Sequence, residues 1–134
     1  MRINSKIINS RSIEVIIDIG NYLTKIIILK NGKIDSEHSV ESFVTRDKLN
    51  NEFVGFGSES YGLLKYIEKD NYLKVLPILE KSLINDFDAL VYFLSKLTEK
   101  YISKYLFLIT TPRITVLTKN LVSSNYVETI TDAF

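Results

Sequence analysis

The 134-residue chain has no cysteine and no tryptophan, a single histidine, two prolines and five glycines. Without thiols it can form neither a disulfide framework nor a thiolate metal site, which fits a reducing compartment. One histidine, His38, leaves little for imidazole chemistry. Charge of one sign is missing too: 17 Lys and Arg stand against 16 Asp and Glu, a formal net charge of +1. With no basic stripe along the chain, no nucleic-acid partner is expected. No apolar run reaches the roughly 20 residues that span a bilayer. The opening MRINSKIINSRS lacks the apolar centre of a secretory signal, so the expected location is cytoplasmic.

What remains is ordinary for one soluble domain: 46% hydrophobic and 25% charged residues, enough apolar material for a single core. Residues 1–12 read as a flexible segment ahead of the first strand. Arg2, Ile3, Lys6, Ile7, Ile8 and Arg11 offer an alternative, a short basic amphipathic turn against the inner face of a membrane.

The densest information lies in VIIDIGNYLTKIIILK, residues 15–30. Two apolar strands, Glu14 to Ile19 and Thr24 to Leu29, flank a tight turn that holds one carboxylate, several backbone N–H groups and a lysine. Asp18 sits between isoleucines, where a charge needs a partner or a cation. Gly20 permits a turn closed to most side chains and a close ligand approach. Successive N–H groups in such a turn form an anion-binding concavity. Asn21 and Thr24 add side-chain donors, and Lys25 a point charge suited to phosphate. The same residues also fit a plain hairpin whose Asp caps its own turn. No Gly-Lys-Ser/Thr opens a helix here, which excludes a Walker A loop.

Asn31-Gly32 predicts a hairpin into Lys33 to Glu37. Ser39 to Thr45 and Glu52 to Phe56 read as short strands around a polar loop, Arg46 to Asn51. Ser58 to Ile67 reads as a helix capped by Ser58, and Val75 to Leu79 as an extended piece interrupted by Pro77. The clearest helix starts at Asn85, with Asn85 and Asp88 at the N-cap and N3 positions. Leu90, Phe93, Leu94, Leu97, Tyr101 and Tyr105 follow at helical spacing, a core stripe. Leu106 to Thr110 reads as a buried strand closed by Thr111-Pro112, then a helix from Ile114 to Ser123 and a strand near Tyr126 to Ile130. Hairpins followed by helix, strand, helix and strand predict a mixed α/β layer fold.

This order of elements resembles the first half of an actin-like ATPase, with the actin/ribonuclease H-like mixed sheet flanked by helices. Within that group it most resembles the bacterial rod-shape-determining actin homologue, the MreB family. IDIGNYLTK resembles the family's first phosphate motif, EHSV its Glu-Pro-Ser-Val, and FVGFGSES its Val-Gly-x-Glu-Ala segment. PILEKSLINDFDALVYFLSKL resembles its Pro-Leu-x-x-Gly-Val-Ile-Ala-Asp-Phe and the helix after it, and LFLITTPRIT falls where the family has an apolar strand ending in Pro-Ser. The resemblance implies a core subdomain at 13–37 and 104–134, a smaller inserted subdomain at about 38–84 and a connecting helix at 85–103.

It further implies ATP with Mg²⁺ against the first hairpin, Asp18 holding the ion largely through water while Gly20, Asn21, Tyr22 and Thr24 contact phosphates. Lys25 matches the lysine of actin and of plasmid-segregating actins. The family has Thr or Ser at Asn21 and a small residue at Tyr22, so Tyr22 is expected to crowd the phosphates. The family's water-orienting glutamate has no counterpart in RITVLTKN, where Thr118 falls nearest, so hydrolysis is expected to be slow or absent. His38 takes the family's proline position and is expected on an exposed loop. Asp86 is expected to help start its helix or to meet a neighbour in a filament.

The family's second phosphate motif and adenosine pocket would follow Phe134. The expectation is therefore a truncated gene or a natural half-actin, binding nucleotide weakly and at most a residual ATPase alone. Its expected partners are further copies of itself or a full-length actin homologue in a filament. The alternative is a non-enzymatic module docking on such a homologue. Asp-Ile-Gly-Asn also resembles the opening of type III pantothenate kinases, a small-molecule kinase branch of the superfamily.

Overall fold

The computed structural model of the protein describes residues 12–65, 72–105 and 112–118. Strand β1 (Ile13–Ile19) buries Ile13, Val15, Ile17 and Ile19 and leaves Asp18 exposed, so alternation decides orientation in a run that is apolar on both faces. Strand β2 (Leu23–Lys30) returns antiparallel, placing Lys25 opposite Asp18 and Thr24 opposite Ile19. Asn31 and Gly32 take φ of 56° and 77°. Positive φ at both central residues is what a type I′ hairpin demands, and β3 (Lys33–Glu41) follows.

That third strand is longer than expected and absorbs His38. Instead of occupying an exposed loop, His38 is half-buried in β3, its ring 4.3 Å from the Tyr101 ring. The expected strand Ser39 to Thr45 is likewise not one element. It breaks at Ser42, after which β4 (Phe43–Asp47) joins a second sheet. Arg46, assigned to a loop by the sequence, lies in β4, where it stacks 4.4 Å over the Phe53 ring and bridges to Asp86 at 3.4 Å.

The second sheet is antiparallel, ordered β5-β4-β6, with β5 at Phe53–Phe56 and β6 at Leu73–Pro77. A short helix, α1 (Ser58–Leu63), packs beside it. Its N-cap is Gly57 rather than Ser58, because the chain enters with φ 70° and a Cβ there would lie 2.9 Å from Val40 Cγ1. Pro77 ends β6 rather than interrupting an element. Beyond it a small hairpin, β7 (Leu79–Glu80) and β8 (Leu83–Ile84), turns through Lys81 and Ser82, both at positive φ.

Helix α2 (Phe87–Leu97) buries Ala89, Leu90, Phe93, Leu94 and Leu97, the expected stripe. Its cap is Asp86, not Asn85. The Asp86 carboxylate accepts from the Ala89 N–H at 3.1 Å, while the Asn85 amide donates to the Pro77 carbonyl at 3.3 Å. A π-helical turn, Thr98–Ile102, then shifts the register by one residue. Tyr101 thereby stacks on His38, and the buried Tyr105 hydroxyl donates to Asp35.

The largest correction concerns Arg113–Thr118. These residues form a strand, β9, parallel to β1, and not the start of a helix from Ile114 to Ser123. Ile114 and Val116 alternate with exposed Arg113, Thr115 and Leu117, a period of two filled with β-branched residues. Pro112, which has no N–H for the ladder, sits at the entrance of this strand. The main sheet therefore runs β3-β2-β1-β9. The expected elements at Leu106 to Thr110 and Tyr126 to Ile130 lie outside the described residues. Among the described residues no helix is long and apolar enough to cross a membrane.

Ser42 ties the two sheets together. It is fully buried, its N–H donates to the Tyr22 carbonyl at 2.8 Å, and its carbonyl accepts from the Ile78 N–H at 2.9 Å. Its hydroxyl lies 2.7 Å from that of Thr24.

Asp86→Ala should destabilise the fold by about 1 kcal/mol or more, and Asn85→Ala clearly less, in urea unfolding monitored by circular dichroism. Ser42→Ala strands the buried Thr24 hydroxyl and should cost about 1–3 kcal/mol. Adding Thr24→Val to Ser42→Ala should recover part of that loss, which a double-mutant cycle reads directly.

Candidate functional site

The bend between β1 and β2 is closed by the Gly20 N–H donating to the Leu23 carbonyl at 2.9 Å. Only glycine fits, since a Cβ at position 20 would stand 2.6 Å from the Leu23 carbonyl oxygen. The N–H groups of Asn21 and Tyr22 meet no backbone carbonyl among the described residues.

Beside the bend lies a cavity of about 490 Å³ whose walls include Asp18, Gly20, Leu23, Lys25, Leu117 and Thr118. It opens at the carboxyl ends of the parallel strands β1 and β9, the place where open α/β sheets take ligands. Asp18 and Lys25 face each other across the β1–β2 ladder, both exposed, with no ion pair between them. One carboxylate and one ammonium thus line the same hollow.

Of the six residues singled out by sequence, Asp18, Gly20 and Lys25 border this cavity and Asn21, Tyr22 and Thr24 do not. The Asn21 side chain turns to the β7–β8 hairpin, accepting from the Ser82 N–H at 2.9 Å and donating to the Ser82 hydroxyl at 3.4 Å. Thr24 is fully buried against Ser42, on the face opposite Lys25. The Tyr22 ring packs edge-on against Tyr61 at 4.9 Å and against Phe43 at 6.4 Å. Its phenol is raised above the ordinary tyrosine pKa, first by a hydrogen bond with Tyr61, then by desolvation and the charges of Tyr61 and Glu41. It therefore stays neutral at physiological pH and adds no charge to the bend.

Leu117 was not among the expected contacts, because its segment read as a helix, and Thr118 entered only as the residue nearest the family's water-orienting glutamate. The signal for them was the alternation in Arg113-Ile-Thr-Val-Leu-Thr directly after a proline. Among the described residues no three His, Asp or Glu side chains gather into a metal cluster. A cation here would rest on Asp18 together with water and ligand oxygens, the way Mg²⁺ is usually bound.

No family model and no curated protein matches the sequence. Solved structures do match the fold. A crystal structure of MreB5 of Spiroplasma citri bound to ADP superimposes with a TM-score of 0.73 at 11% identity, over 91% of this chain and 34% of that one. A second, of the same protein bound to AMPPNP, gives a TM-score of 0.67 at 12% identity over the same shares of the two chains. This chain spans about a third of the length of those neighbours. Its fold, a mixed sheet with flanking helices, is the α/β actin-like fold of those neighbours over the part they share.

Proposed function

We propose that this chain is the phosphate-holding part of an actin-like cytoskeletal protein of the rod-shape-determining type, taking ATP with Mg²⁺ at the 18–25 hairpin. The observation that carries this reading is the pairing of Asp18 and Lys25 on one wall of the cavity at the carboxyl ends of β1 and β9. The neighbours in this fold were crystallised with ADP and AMPPNP, which supports a nucleotide here. Residues 13–37 and 104–134 would make up the core subdomain, 38–84 the inserted one and 85–103 the connecting helix. Self-association, or assembly with a full-length homologue, is the corresponding partner.

The residues present fit the group. Mg²⁺, when bound, neutralises phosphate charge. Asp18 would hold it through water and Lys25 would offset the remaining phosphate charge. Gly20 keeps the bend beside them tight. Among the described residues Asp18 is the one carboxylate on the cavity wall, so nothing there orients a water for attack. Hydrolysis would be slow or absent.

A second reading rests on a different observation. Asn21 and Thr24, two of the expected phosphate donors, are engaged within the protein, by Ser82 and Ser42. A nucleotide-free module that docks on a full-length actin homologue accommodates that commitment.

Titration with a fluorescent ATP analogue and Mg²⁺ should show submillimolar binding, weakened about tenfold or more, some 1.4 kcal/mol, by either Asp18→Ala or Lys25→Ala. No detectable binding by the unmodified chain would overturn the nucleotide reading and leave the docking module. Gly20→Ala should lower both the unfolding midpoint and the affinity, because the added Cβ forces the Leu23 carbonyl out of the bend.

A further inference from the structure

Strands β1 and β2 are apolar on both faces, the pattern of strands that are covered above and below. One face is buried: Val15, Ile17 and Ile19 of β1 and Ile26 and Ile28 of β2 lie in the core. On the other face Ile16, Ile27 and Leu29 are half-buried and stand outside that core. Leu117, on the same side of β9, is 40% exposed.

Register fixes what this second face displays, because residues paired across neighbouring strands point the same way. Lys25 of β2 stands beside Asp18 of β1, both exposed and not joined in an ion pair. One row along, Ile27 stands beside Ile16. The cation and the anion therefore sit on opposite sides of a line drawn between the two strands, with a matched apolar pair on the same line.

We propose that a second copy of this chain docks on this face, about a two-fold axis that runs along the strands between β1 and β2. Lys25 of each copy then lies over Asp18 of the other, and Ile27 over Ile16. In the flanking strands the same axis sets Glu37 over Thr115 and Arg113 over Ile34, so no like charges meet. A net charge of +1 adds little repulsion between copies. Aligned stacking is also how two twisted sheets bury their faces. The face matches itself, and that selects a second copy as its occupant. Such a contact closes on a pair and does not propagate. Asp18 and Lys25 also wall the candidate cavity, so the pair and a nucleotide exclude each other. The inference does not depend on the nucleotide reading.

Sedimentation equilibrium of the unmodified chain without nucleotide should show a monomer–dimer equilibrium at about 100 µM protein, the range of a small contact. Asp18→Lys and Lys25→Asp should each weaken it about tenfold or more, because each sets like charges face to face. Both should keep the circular dichroism spectrum of the parent. An equimolar mixture of the two variants should associate as the parent does, since the cations of one then meet the anions of the other. The double variant Asp18→Lys/Lys25→Asp should pair with itself again. Ile27→Thr, which keeps a β-branched strand residue, should weaken association about tenfold at an unchanged thermal midpoint.

A chain that stays monomeric at that concentration would overturn the inference, whatever else covers the face. So would a mixture that associates no better than either charge variant alone, or a dimer that persists with nucleotide bound. Nucleotide binding by a chain that is monomeric throughout would remove this inference and leave the nucleotide reading. A dimer obeying the charge-swap rule in a chain that binds no nucleotide would do the reverse.

Discussion

The join between the two sheets, and with it the support of the bend at Tyr22, depends on Ser42, a small residue at the break between them. Its N–H holds the carbonyl of the bend at Tyr22, its carbonyl receives the N–H of Ile78, and its hydroxyl meets Thr24. Because the residue is fully buried, each of these bonds is shielded from competing water. A larger side chain would not fit beside Thr24, and an apolar one would leave a hydroxyl unmatched. The position joins the main sheet, the bend and the segment leading to the β7–β8 hairpin in one residue.

The strand period then divides labour at the bend. In β2, alternate residues point to opposite faces, so Thr24 and Lys25 cannot serve one ligand from the same side. Thr24 goes to the core and the join with Ser42; Lys25 goes to the cavity. Asn21 is drawn off to Ser82, and the ring of Tyr22 leans on Tyr61 and Phe43. What borders the cavity is a sparse polar set, one carboxylate and one ammonium.

Local signals in the sequence were the readable ones. Asn31-Gly32 announced its hairpin because two positive φ angles require such residues, and the apolar stripe from Leu90 to Leu97 announced its helix. Asp18, Gly20 and Lys25 were legible because charge beside glycine in an apolar run is conspicuous. The strand at Arg113–Thr118 was not: six residues of mixed Ile, Thr, Val and Leu satisfy a helical pattern about as well as a strand until a partner strand is known. The choice between Asn85 and Asp86 as cap was decided by Arg46, 40 residues earlier in the chain, which pairs with the second carboxylate oxygen of Asp86. Gly57 displaced Ser58 because of Val40, another contact with no local signature.

The link between Asn21 and Ser82 spans 61 positions of sequence. A growing chain emerging from the ribosome presents both strands of the first hairpin long before Ser82 exists outside the tunnel. Closing so long a loop carries an entropic cost that only the later contacts offset. The bend therefore reaches its final shape only once the β7–β8 hairpin is in place, and a chain cut before Ser82 holds a first hairpin without its far-side support.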